Sequence, residues 1–136
     1  MHNIYDGFPH DLYEMFPEKK EDTYTNEMVF SLKDMLELIE LVSQYKGVVL
    51  WGGGLRKLNL EHTGDAWSIE LEPGVDTIEI ARIKGCEAAK TYIEKVVRLN
   101  GDIFLYAPTM TMEKDEAAFQ DFLRDPMKRH YDRFKL

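Results

Sequence analysis

Between Gly47 and Lys84 the chain alternates apolar and polar residues around tight-turn signals, and no other stretch narrows the fold as much. Thr63-Gly64-Asp65-Ala66 fits a two-residue hairpin loop, with glycine first, where a positive φ is needed. Such a loop sets the register. It places Trp67 opposite His62, Ile69 opposite Leu60 and Leu71 opposite Leu58. Side chains alternate along a strand, so Leu58, Leu60, His62, Trp67, Ile69 and Leu71 share one face. Lys57, Asn59, Glu61, Ser68, Glu70 and Glu72 share the other. Burying the large apolar members contributes roughly 1.5–3 kcal/mol each before entropy. Pro73-Gly74 signals another turn, after which Thr77–Ile83 alternates again and places Glu79 beside Ser68 and Glu61. The expectation is a meander over 57–83, apolar on one side and acidic on the other.

Continuous apolar runs at Val48–Trp51 and Ile103–Ala107 read as covered strands, the second stopped by Pro108. Tyr24–Phe30 favours a further strand through Tyr24, Thr25, Val29 and Phe30. Ser31 is a helix N-cap, followed by the apolar stripe Leu32, Met35, Leu36, Ile39, Val42 and Tyr45, with Gly47 as the stop. A second helix is expected over 85–100, a third capped by Thr111 and a fourth opened by Asp125-Pro126. The fold class is therefore α+β: a mostly antiparallel sheet of about five strands with helices packed on one face. The organisation expected is one domain over 1–136. It comprises an N-terminal arm at 1–22, a core at 23–107 and C-terminal helices at 109–136.

Charge narrows the partners. The formal net charge is −8, and residues 1–80 carry 16 acidic and 6 basic side chains. Direct nucleic-acid binding needs Lys and Arg at phosphates, which in this front end are outnumbered by acids, whereas an acidic surface attracts basic proteins. The single cysteine, Cys86, rules out an internal disulfide framework and suits a reduced, cytoplasmic setting. The first residues lack the basic and apolar runs of a signal peptide, and no stretch approaches the ~18 apolar residues of a membrane span.

Chemistry-bearing signals are sparse. Gly52-Gly53-Gly54 with Arg56 would expose backbone N–H groups as an anion or nucleotide nest. The segment lacks a Gly-Lys-Ser/Thr sequence, and glycines in a strand more often mark a bulge. His62, Trp67 and Arg82 should meet at one end of the meander, as a cation–π margin or as part of that ligand site. His2, His10, His62 and His130 have no metal-type spacing, and no cofactor motif is present.

The reading these features favour is a small acidic, non-enzymatic protein-binding module of the inhibitor or immunity type. It would set Glu61, Glu70, Glu72 and Glu79 against a basic protein partner. The alternatives are a small-ligand binder using Gly52, Gly53, Gly54, Arg56, His62, Trp67 and Arg82, and an enzyme whose site is assembled across the chain. The aromatic N-terminal arm and an exposed strand edge are the surfaces a homodimer would use.

Overall fold

The computed structural model describes residues 14–23, 25 and 27–125. Among these the order is β1 (Lys20–Asp22), β2 (Glu27–Val29), α1 (Leu32–Val42), β3 (Val48–Arg56), β4 (His62–Ser68), α2 (Ile78–Asn100), β5 (Leu105–Met112) and α3 (Glu116–Arg124). The class is α+β. The strands form two antiparallel sheets, β1-β2 and β4-β3-β5, in place of one five-stranded meander. Among the described residues one backbone bridge joins them: Phe30 and Tyr106 exchange two hydrogen bonds of 2.8 Å.

The meander over 57–83 is corrected at both ends. Its first hairpin turns at Lys57–Glu61, not at Gly64-Asp65. There Leu60 N–H donates to the Lys57 carbonyl and Lys57 N–H to the Glu61 carbonyl, while Asn59 Oδ1 accepts from Glu61 N–H. Leu60 takes the left-handed conformation, φ 73°, where glycine is usual. β4 therefore pairs with β3, setting Trp67 against Gly53 and His62 against Arg56. Gly64 does have the positive φ expected of it, 83°. It serves a bulge in which Thr63, Gly64 and Asp65 oppose only Leu55. Thr63 Oγ1 donates to the Leu55 carbonyl and accepts from Asp65 N–H, and Asp65 Oδ1 accepts from Ala66 N–H.

At the other end, Thr77–Ile83 is not a strand. Thr77 is the N-cap of α2, its hydroxyl accepting from Ile80 N–H at 3.2 Å, and the helix runs unbroken from Ile78 to Asn100. Gly85 lies inside it: a Cβ there would stand 2.3 Å from the Leu50 carbonyl oxygen, so the missing side chain lets α2 settle directly on β3.

α1 is capped by Ser31 as expected but ends at Val42, short of Gly47. β5 continues through Pro108. Tyr106 N–H points to Phe30, so alternation directs the Pro108 nitrogen the same way, off the β3 ladder, where a missing N–H costs that ladder nothing. Asp115, not Thr111, caps α3, accepting from Ala117 and Ala118 N–H.

The helices do not share one face. Val48, Leu50 and Leu55 enter the main core with α1 (Met35, Leu38, Ile39, Val42) and α2 (Cys86, Ala89, Ile93, Val96). Val49 packs oppositely, with Phe119, Phe122 and Leu123 of α3 and with Ala81, and Trp51 joins it. Phe16 is buried edge-on against Phe30, ring centroids 5.6 Å apart, so this part of the N-terminal arm belongs to the core. The rest of the arm to residue 13 and the C-terminal helix expected after Asp125 lie outside the described residues.

Candidate functional site

Strand pairing brings six of the seven ligand-site candidates together. Gly52, Gly53, Gly54, Arg56, His62 and Trp67 line one open concavity of about 460 Å³, with Glu27, Asp65, Ser68 and Thr109. The seventh, Arg82, lies on α2, where its guanidinium holds Glu79 at 2.5 Å and donates to the Ser43 carbonyl. The anion nest does not form. Gly52–Gly54 run in the middle strand, between β4 and β5, so their backbone serves ladders on both sides. Neighbours in the same chain account for each glycine. A Cβ would meet the Trp67 carbonyl oxygen at Gly52, the Trp67 indole and Ala107 carbonyl at Gly53, and the Arg56 guanidinium at Gly54. A bulge does stand at this point, where the β3–β5 register shifts between Leu50 and Gly52.

Arg56 is buried, only 4% exposed, because β1 and β2 close over it. Its Nη2 donates to Glu27 Oε1 at 2.6 Å, and its Nε lies 3.7 Å from Asp22 Oδ2 without a hydrogen bond. The exposed His62 places Nε2 3.6 Å from the same carboxylate. This cluster clamps the β1-β2 hairpin to the β3-β4 hairpin. Its acids already balance Arg56, which leaves little charge to attract an anion. Asp22 and Glu27 carry no sequence signal for this role, since nothing local to them announces a partner 29 or more residues away.

On the α2 side, the Trp67 ring crosses Gly53 and stacks on Tyr92, centroids 4.8 Å apart at 24°. Trp67 Nε1 and Tyr92 Oη are both buried, and the indole N–H meets no acceptor among the described residues. Burial, followed by the charge of Asp65, pushes the Tyr92 phenol far above its usual value. Burial likewise raises the Cys86 thiol, against the pull of Arg82. A second hollow, of about 520 Å³, opens between Trp67–Glu70 and α2, bounded there by Lys84, Glu87, Ala88, Thr91, Tyr92 and Lys95.

The acidic candidates do not share a sheet face. Glu79 belongs to the first turn of α2, where Arg82 hydrogen-bonds it and lowers its pKa. Glu61 closes the 57–61 turn beside Lys57, at 3.6 Å, while Glu70 and Glu72 follow β4. With Asp65 in the bulge, these three line the outer strand and its continuation, and all four are exposed. β4 is an edge: it pairs with β3 and with no other strand among the described residues. Ile69 N–H donates to the Trp51 carbonyl at 3.0 Å. Alternation then turns Trp67 and Ile69 toward β3, and Ala66 and Ser68 outward.

Among the described residues, no group of three or more His, Cys, Asp or Glu side chains is placed to hold a metal ion, and no helix is long and apolar enough to cross a membrane. Comparison of the chain with protein-family models, with curated proteins and with solved structures gives no match.

Proposed function

We propose that this chain is a non-enzymatic protein-binding module that docks a basic partner along the edge formed by β4 and the residues after it. One observation carries the reading. Residues 61–72 hold four exposed acids, Glu61, Asp65, Glu70 and Glu72, and no Lys or Arg, beside a strand whose outer side pairs with no strand among the described residues. Acids on an edge also discourage pairing between copies, because like charges set opposite each other across a new ladder repel. The same charges attract a basic segment and speed its approach, an effect that weakens as salt shortens the Debye length from about 10 Å at 0.1 M to about 3 Å at 1 M.

The test compares the wild-type chain with a triple charge-reversal variant, Glu61→Lys, Glu70→Lys and Glu72→Lys, as immobilised bait for proteins of its own cell. Basic proteins retained by the wild type at low salt, released at high salt and lost from the variant support the reading. Retention of the same proteins by both baits, or indifference to salt, refutes it.

A second reading rests on the six candidates that share the concavity around Arg56, which would take a small ligand. Thermal-shift measurements with nucleotides and phosphorylated metabolites test it: a shift lost in Arg56→Lys favours it, and a flat panel removes it.

A further inference from the structure

We infer that the partner binds as an added strand: an extended segment bearing Lys or Arg pairs with Ala66–Glu70 and lies in the groove between β4 and α2. The inference rests on the binding-module reading and specifies its contacts.

The edge of β4 is not uniformly open. Toward its start, the bulge answers its own polar groups: Thr63 Oγ1 takes Asp65 N–H, and Asp65 Oδ1 takes the outward Ala66 N–H. Among the described residues the outward N–H groups of Ser68 and Glu70 meet no such side-chain cap, whereas the Glu72 N–H donates to Asp76 Oδ2 at 2.7 Å and closes the open stretch there. Strand addition needs these groups, since main-chain hydrogen bonds supply its affinity and alternate side chains its specificity. The groove has the matching length. The wall from Lys84 to Lys95 of α2 rises about 16 Å at 1.5 Å per residue, enough to flank about five extended residues at ~3.3 Å each.

Its floor is the Trp67–Tyr92 stack, an apolar seat for one inward side chain of the segment. Within the groove Glu70 and Glu87 balance Lys84 and Lys95, and Lys84 is already held by Asp76 at 2.9 Å. Selection for positive charge therefore falls on the flanking acids Glu61, Asp65 and Glu72. A second copy of this chain would bring its own acids to them, so the occupant is a basic segment of another protein.

A phage-displayed library of random twelve-residue peptides, panned on the wild-type protein, is the probe. Enriched sequences should be rich in Lys or Arg. A synthesised winner should slow hydrogen exchange at the Ser68 and Glu70 amides at least ten-fold. Ala88→Trp, which fills the groove from a half-buried helical position on its wall, should weaken that peptide at least ten-fold while leaving the urea midpoint within the range of other surface variants of α2. No enrichment, peptides without basic residues, or a peptide that binds Ala88→Trp normally and leaves the Ser68 amide unprotected overturns strand addition. The charge-reversal comparison above does not depend on the groove, so it separates failure of this binding mode from failure of the module reading.

Discussion

Replacing Gly85 by alanine sets two effects of opposite sign against each other. Helix propensity alone predicts a gain of about 0.8–1.0 kcal/mol, because Gly85 is an interior residue of α2. Burial of the added methyl predicts about 0.8 kcal/mol more. Against these stands the backbone of β3. The new Cβ would lie 2.3 Å from the Leu50 oxygen, 3.1 Å from its carbonyl carbon and 3.2 Å from its Cβ. No side-chain rotation relieves a contact with backbone, so α2 must lift by about 1 Å to reach ordinary van der Waals distance. A gap of 0.5–1 Å forfeits a quarter to a half of the dispersion energy at each separated contact. Here that loss falls on Cys86, Ala89 and Ile93, the buried row that follows Gly85 on the same face. Overpacking of this kind typically costs 1–3 kcal/mol, and a lift shared by the whole helix belongs at or above the upper end. The expected net change is a destabilisation of about 1–2 kcal/mol, which for a chain of this size lowers Tm by about 3–8 °C. Urea unfolding followed by far-ultraviolet circular dichroism measures it, with Ala88→Gly as the propensity control at a less buried position of the same helix. A midpoint for Gly85→Ala equal to or above that of the wild type, at unchanged m, would refute the close-approach reasoning.

Arg56→Ala should destabilise the fold by about 3 kcal/mol in urea titration, since it removes the buried guanidinium that Glu27 accepts from at 2.6 Å and that lies 3.7 Å from Asp22 beneath the β1-β2 hairpin. Arg56→Ala combined with Glu27→Gln should recover part of that loss. Asp76 is held below the ordinary carboxylate value, first by its hydrogen bond from Lys84 and then by the Glu72 N–H. A depressed folded-state pKa contributes stability above the unfolded value near ~4, which is lost as pH falls through the folded value. Asp76→Asn should therefore lower the midpoint at pH 7 and flatten the acid limb of stability below about pH 4. An acid limb identical to that of the wild type would show that Asp76 does not couple to folding.

How the sequence relates to this structure is clearest residue by residue. The sorting of side chains was legible only in part: Leu60 and Ile69 are half-buried and Glu61 and Glu70 are exposed, but Leu58 and His62, expected on the same apolar face, are exposed too, because the chain turns at 57–61 and Leu60 and Ile69 do not pair. Gly64 announced a positive φ, which a hairpin turn and a bulge both need. The actual turn was silent because Leu60 occupies the left-handed position with no glycine to mark it, its side chain packed on the cluster of Val29, Leu105 and Ala107. The start of α2 misled because Ile78 and Ile80 alternate like a strand. Its buried row, Ala81, Gly85, Cys86 and Ala89, is built of small residues, while Ile80 and Ile83 stay 39% and 45% exposed. Small residues carry a weak periodic signal, yet they are what a helix pressed against a strand requires. At the candidate site, the exposure of Glu61, Glu70 and Glu72 could be read from the sequence, but their place along one strand edge, apart from Glu79, could not. The Arg56 clamp and the groove beside Trp67 could not, because both join elements far apart in the chain.

The only two tryptophans in the chain report on opposite layers of it. Trp51 lies between Phe119 and Phe122, at 5.8 and 5.2 Å, and Trp67 lies on Tyr92 across the sheet. With either indole changed to phenylalanine, the other becomes a private optical gauge of its own side. Loosening of α3 and occupancy of the groove can then be watched separately in the same molecule, without a label.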